Sequence, residues 1–385
     1  MDSPPIHMDV DRSFLPLPSA VKASIFESFA RQNMAEHETD VRSGIQKLLM
    51  NSYGISIDNS SELILGNSSQ ALFIKLLLCC IQESGTFLFP SGTNGYYLSA
   101  AKFLKANLLI IPTQLETGFK LDPTALESFL SAVSNPWVYI SGPTIMPTGL
   151  LYRNTEINEI LSVCARFGTR VVIDTSFSGL EFITEDWDGW NLQTCLSKLP
   201  ASSSFSLSLL GGLSFEMLTG GLEFGFLILN DPHLIETVYS FPSLNKPHST
   251  VRYAIKRLLG LKEQKAQQLM DTIAEHKQIL RSRSHLLAEM LSKCGWDVIS
   301  SRGGVSMVAK PSAYLGKTVK ISGFESKLDG SNIREAVLRT TGLCINSSSW
   351  TGIPDYCRFS FGLEATEFER SLECISHFAN LVLQI

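Results

Sequence analysis

Two residues in this chain sit where a charge needs a reason. Asp174 ends the apolar run Val171-Val172-Ile173. In an open α/β sheet, ligands bind beyond the carboxyl ends of the strands. A carboxylate there suits ligand binding, and it equally suits capping the next turn. Arg358 lies within Tyr356-Cys357-Arg358-Phe359-Ser360-Phe361. A guanidinium on a buried strand needs an anion, either a structural partner or the carboxylate of a ligand. Gly66-Asn67-Ser68-Ser69-Gln70 separates a strand from a helix. It could hold a phosphate at the helix N-terminus, or Ser68 or Ser69 could simply cap that helix. Pro143 and Pro147, in the turn that follows Ser141, are candidates for cis geometry. Residues 202–226 are rich in Ser, Leu and Gly, yet they lack the spacing and the following helix of a dinucleotide fingerprint.

These residues need a frame. Residues 1–20 read as an extended arm broken by Pro4, Pro5, Pro16 and Pro18, followed by helices at 20–36 and 39–53. Apolar runs then predict strands at 62–66, 86–90, 107–112, 137–141, 170–174, 203–209 and 225–229. Helices are predicted between them at 71–81, 97–104, 123–134 and 154–167. Strands alternating with helices indicate a doubly wound, mostly parallel sheet. Residues 263–293 carry Ala266, Leu269, Ile273, Leu280, Leu287 and Leu291 at helical spacing. That long helix leads to a small α+β unit, with strands at 296–300, 304–309 and 357–361 and helices at 332–341 and 366–383. The expected division is an arm with helices (1–60), a large α/β domain (61–262), and a linking helix with a small domain (263–385).

Composition narrows the function classes. The 385 residues are 44% hydrophobic and 18% charged, with a net charge of −5. That balance argues against nucleic acid and anionic membrane as main ligands. No apolar run reaches the 18 or so residues of a membrane span. The N-terminus has neither a basic n-region nor an apolar h-region, so a cytoplasmic protein is expected. The eight cysteines form no CxxC pair and read as buried, reduced thiols, with no metal site.

In this order and spacing the segments resemble fold-type I, pyridoxal-phosphate-dependent aminotransferases of class I/II over nearly the whole chain. Asp9-Val10-Asp11-Arg12-Ser13-Phe14-Leu15-Pro16, residues 136–145, 174–180, 246–251 and 348–354 further resemble the C-terminal, aminotransferase-like region of the plant methionine S-methyltransferase family. The resemblance implies the fold-type I architecture and a homo-oligomer. It also implies a separate S-adenosylmethionine-dependent methyltransferase domain as partner.

The resemblance also implies a cofactor pocket, and here this sequence departs from the pattern. The Schiff-base lysine should follow a Ser-x-Ser. Ser206-Leu207-Ser208 is followed by Leu209, and no lysine occurs between Lys198 and Lys246. The phosphate-clamping Gly-x-Arg-x-Gly reads Gly221-Leu222-Glu223-Phe224-Gly225. Met146 replaces the Asn of the Asn-Pro-Thr-Gly turn, and Phe177 replaces a Tyr. No aromatic matches the one that stacks on the pyridine, although Tyr96 and Tyr97 are near. Asp174 remains as the usual partner of the pyridine nitrogen, and Arg358 as the usual receptor of an amino-acid carboxylate.

The expected vestigial pocket is therefore Gly66, Asn67, Ser68, Ser69, Met146, Asp174, Phe177, Ser206, Ser208 and Glu223, with Arg358 as a carboxylate site and no covalently bound cofactor. The expected function is a catalytically silent module serving assembly or regulation of a methionine S-methyltransferase. The alternatives are an active pyridoxal-phosphate aminotransferase or C–S lyase, and a pure scaffold.

Overall fold

The apolar runs pair into one seven-stranded sheet. Its order is Glu62–Gly66, Gly225–Leu229, Ser206–Gly212, Arg170–Asp174, Pro136–Ser141, Thr86–Pro90, Asn107–Ile111. The structure is a computed structural model that describes residues 4–30, 38–57, 61–182, 187, 189–199, 205–241, 246–321 and 323–383. The five strands from Ser206–Gly212 to Asn107–Ile111 run parallel. Gly225–Leu229 is antiparallel to both its neighbours. Every residue of Pro136–Ser141, Ser206–Gly212 and Gly225–Leu229 is buried. Helices covering both faces of a sheet impose that burial, which is why these strands read as unbroken apolar runs.

In the large sheet one strand is clearly displaced from expectation. Ser206–Gly212 ends three residues later than the predicted 203–209, and residues 203 and 204 lie outside the described residues. Gly211-Gly212 looks like a turn in sequence but belongs to the strand. A Cβ on Gly211 would lie 2.2 Å from the Phe226 ring, so glycine serves packing there rather than chain reversal. Four helices were not anticipated: the short Leu192–Leu196 and Ser348–Thr351, and two longer ones. Pro232–Ser240 is capped by Asp231, and Ser249–Leu259 by His248. Both Gly142–Pro143 and Met146–Pro147 are cis.

Helix Glu263–Lys293 runs 31 residues and buries Leu269, Ile273, Leu280, Leu287 and Leu291. Beyond it an antiparallel sheet forms in the order Asp297–Ile299, Ser306–Lys310, Cys357–Ser360. Helices Ile333–Thr341 and Ala365–Leu383 pack on each other beside it.

The arm is anchored at both ends of its path. Ile6–His7 pairs in parallel with Leu343–Cys344. Met8 O accepts the Ser360 N–H at 2.8 Å, and the Phe14 N–H donates to Gly362 O at 2.6 Å. Helices Ser19–Ala30 and Glu38–Tyr53 then pack on Ser249–Leu259. All eight cysteines are free, and six are buried. Among the described residues, no helix is long and apolar enough to cross a membrane.

Candidate functional site

Three glycines stand in register across the sheet edge, with Gly225 paired to both Gly66 and Gly212. Their bareness lets the N-terminus of helix Ser69–Gln82 press onto the sheet. A Cβ on Gly225 would come within 2.3 Å of the Ser68 backbone. Ser68 caps this helix, its Oγ accepting the Ala71 N–H at 3.1 Å. Asn67 is exposed at the turn.

Asp174 lies two strands away at the same edge and is fully buried. Its Oδ1 accepts the Ser176 N–H at 2.9 Å and the Ser176 hydroxyl at 2.5 Å, and its Oδ2 accepts the Tyr139 hydroxyl at 2.8 Å. Burial raises its pKa, and the bonds from Ser176 and Tyr139 pull it back. Burial and the Asp174 charge in turn drive the Tyr139 and Tyr97 phenols well above their ordinary value. Of the adjacent pair Tyr96 and Tyr97, Tyr97 is the one buried toward this carboxylate, its hydroxyl without a hydrogen bond of good geometry. It packs 4.2 Å from Phe73 and 5.5 Å from Tyr139, whereas Tyr96 is exposed.

Above Asp174 the expected residues converge only in part. Ser68, Ser69, Phe177 and Glu223 line one cavity of about 90 Å³, together with Asp11, Ser176, Ser214 and Phe215. The Phe177 and Phe215 rings lie 6.3 Å apart. Gly66 lies in the strand beneath the helix N-terminus. Met146 is buried nearby, its N–H donating to Ser141 Oγ at 3.3 Å and its sulfur accepting from Ser306 at 3.5 Å.

Ser206 and Ser208 require correction. Ser206 pairs with Arg170 and Ser208 with Val172, while Leu210 pairs with Asp174. The two serines therefore sit in the half of the strand away from the ligand edge, because the strand extends to Gly212. What reaches the cavity from this segment is Ser214 and Phe215.

The residues present do not suit pyridoxal phosphate. No lysine or arginine lines the cavity, and two carboxylates, Asp11 and Glu223, do. A phosphate dianion would meet like charge there. Pockets for small ligands usually hold roughly 300–1,000 Å³, several times this space. Asp174 already has both oxygens engaged by the chain.

Arg358 is fully buried and has its anion within the chain. Its Nη1 meets Asp11 Oδ1, and its Nη2 donates to Val10 O. The guanidinium also lies 4.8 Å from the centre of the Trp350 ring. Burial lowers its pKa, and Asp11 offsets part of that loss. A larger cleft, about 340 Å³, runs along the arm between Val10 and Leu17 and the segment 214–223, and Asp11 forms part of its wall too.

Several residues escaped the sequence reading. Asp11 lies within a quoted motif, but nothing local indicates a partner 347 positions away. Tyr139 was legible only as part of an apolar strand. Glu216 accepts from the Tyr53 hydroxyl and, at 3.2 Å, from Ser52. Its pKa is pushed up to about 7 by burial and by the charge of Glu181. The expectation of no metal site meets one grouping among the described residues. His7, Asp9 and Cys344 bring their donor atoms within 4.8 Å of one another.

The sequence profile of the aminotransferase class I and II family matches residues 8–375. The chain is 60% identical to a methionine S-methyltransferase of Hordeum vulgare over 384 residues, which is 100% of this chain and 35% of that protein. It is 50% identical to a methionine S-methyltransferase of Arabidopsis thaliana, over 98% of this chain and 35% of that protein. The chain thus spans about a third of the length of these relatives. Among solved structures, it is similar to a Thermus thermophilus aspartate aminotransferase variant at TM-score 0.80 and 15% identity. That match covers 98% of this chain and 97% of the other. A Staphylococcus hominis C–S lyase matches at TM-score 0.80 and 12% identity, over 98% of this chain and 89% of the other.

Proposed function

The chain belongs to the aminotransferase class I and II family, and on that premise we propose that it is a catalytically silent member serving methionine S-methyltransferase assembly or regulation. One observation carries the reading. The space above Asp174 is small, bears two carboxylates and three phenylalanines, and has no cation among its lining residues. Fold-type I chemistry needs a primary amine to form an imine and a cation to hold a phosphate. Neither is supplied by the residues that line this cavity.

The long identity to plant methionine S-methyltransferases supports the pairing with a methyltransferase part. In this reading S-adenosylmethionine and L-methionine react on that part, in the cytoplasm, while this fold supplies contact surface.

Mixing the purified chain with a separately expressed methyltransferase part tests the proposal. The expected result is a stable complex with altered methyl transfer, and no transamination or C–S cleavage by the chain itself. Turnover of any amino acid by the chain alone would overturn it.

A further inference from the structure

We infer that His7, Asp9 and Cys344 form a three-donor site for a divalent metal of the zinc class, which fastens the N-terminal arm to the small C-terminal domain. The site lies outside the cavity above Asp174, and the inference holds whether or not the chain is catalytically silent.

Strand geometry brings the three donors together. Ile6–His7 runs parallel to Leu343–Cys344, with His7 paired to Cys344. Side chains alternate between the two faces of a strand. Ile6 and Leu343 are buried, so His7 and Cys344 share the outer face. Asp9, two residues after His7, returns to that side, and its Oδ1 lies 3.0 Å from His7 Nδ1. One donor atom from each of the three residues lies within 4.8 Å of the other two. A surface hydrogen bond between His7 and Asp9 accounts for two of these groups, but not for the thiol beside them.

Imidazole, carboxylate and thiolate are together a zinc donor set, with bonds of about 2.0–2.3 Å. A tetrahedral ion so bound spaces its donors roughly 3.2–3.7 Å apart. The cluster reaches that spacing with a contraction of about 1 Å. The His7 side chain, 54% exposed, is free to make the movement. Calcium and magnesium, which take oxygen shells, find a single carboxylate here. The metal replaces the thiol proton, which passes to solvent. Its two charges are then balanced by Asp9 and the thiolate. Arg334 also acts on the thiol electrostatically, and the neutrality of the loaded site limits that repulsion. The ion would bridge opposite ends of the chain, where the backbone already joins Ile6 N–H to Gly342 O and Met8 N–H to Cys344 O, both at 2.9 Å.

The test titrates zinc into the tag-free chain, stripped of metal by a chelator, against a chromogenic competitor. One ion per chain is expected, with a saturable rise in Tm that magnesium does not give. Cobalt(II) should give a near-ultraviolet thiolate-to-metal band and visible tetrahedral bands. Cys344→Ser should lose the thiolate band, and His7→Ala and Asp9→Asn should each weaken zinc binding at least tenfold in a folded chain. Cys374→Ser, at the other half-buried cysteine, should leave the cobalt spectrum unchanged. Arg12 is the first tryptic site of the arm, and zinc should slow cleavage there at least tenfold in the parent but not in Cys344→Ser. Absence of one-to-one binding, or a thiolate–cobalt band that persists in Cys344→Ser, overturns the inference.

Discussion

Asp174 accepts three hydrogen bonds and is sealed from solvent. Replacing it by Ala would strand the Ser176 N–H and the two hydroxyls, at a cost of about 3 kcal/mol. Urea unfolding should show this as a lower midpoint, with Asp174→Asn closer to the parent. An unchanged midpoint for Asp174→Ala would mean these donors find other partners. Glu216 makes a pH-dependent prediction. Its folded pKa of about 7 exceeds the ordinary value of 4.5, so the folded state binds the extra proton. Stability then falls as pH rises from about 4.5 to 7, and the loss is complete above that window. Lys277 opposes the shift, and Glu181 promotes it. Glu216→Gln keeps one acceptor oxygen and puts an NH2 donor in place of the other, so one of the Tyr53 and Ser52 hydroxyls must turn to accept. It should raise Tm at pH 8 by a few degrees, roughly 1–3 kcal/mol, with the gain vanishing near pH 5. A gain that grows toward low pH would contradict this assignment.

The elements were largely legible because their causes are local. Arg170–Asp174 and Gly225–Leu229 are buried apolar runs bounded by turn residues, and helix Glu263–Lys293 carries its own period. Ser206–Gly212 was misplaced because glycines that accommodate the Phe226 ring cannot be told from turn glycines in sequence. That slip carried Ser206 and Ser208 into the candidate site and left Phe215 out of it. Asp11, Tyr139 and Glu216 were missed for a different reason, since their partners are set by tertiary packing. Gly225 tests the packing argument at this scale. Gly225→Ala would force the Ser68 backbone away and should cost about 1–3 kcal/mol. Gly221→Ala, with nothing within 4 Å of the added carbon, should be close to neutral by the same thermal melt.

At the scale of the whole molecule, the fold has an aminotransferase frame, and the cavity at the ligand edge of its large sheet is lined by two carboxylates and no lysine or arginine. The arm pairs with Leu343–Cys344 and closes over Arg358, and the cavity at the ligand edge of the large sheet holds about 90 Å³. The apolar face at Phe26 and Phe29, 78% and 65% exposed, fits association with a second copy, as in many symmetric oligomers. Light scattering should report a dimer, and Phe26→Ser with Phe29→Ser should shift it toward monomer. A monomeric parent chain would count against that surface.

The most direct test of the silent reading is a pyridoxal phosphate titration of the purified chain, followed across the visible range before and after borohydride reduction. The account predicts no saturable aldimine band and no reduced adduct on a single lysine, in a protein that remains folded. A saturable band fixed by borohydride to one lysine would contradict it and return the chain to the active members of its family.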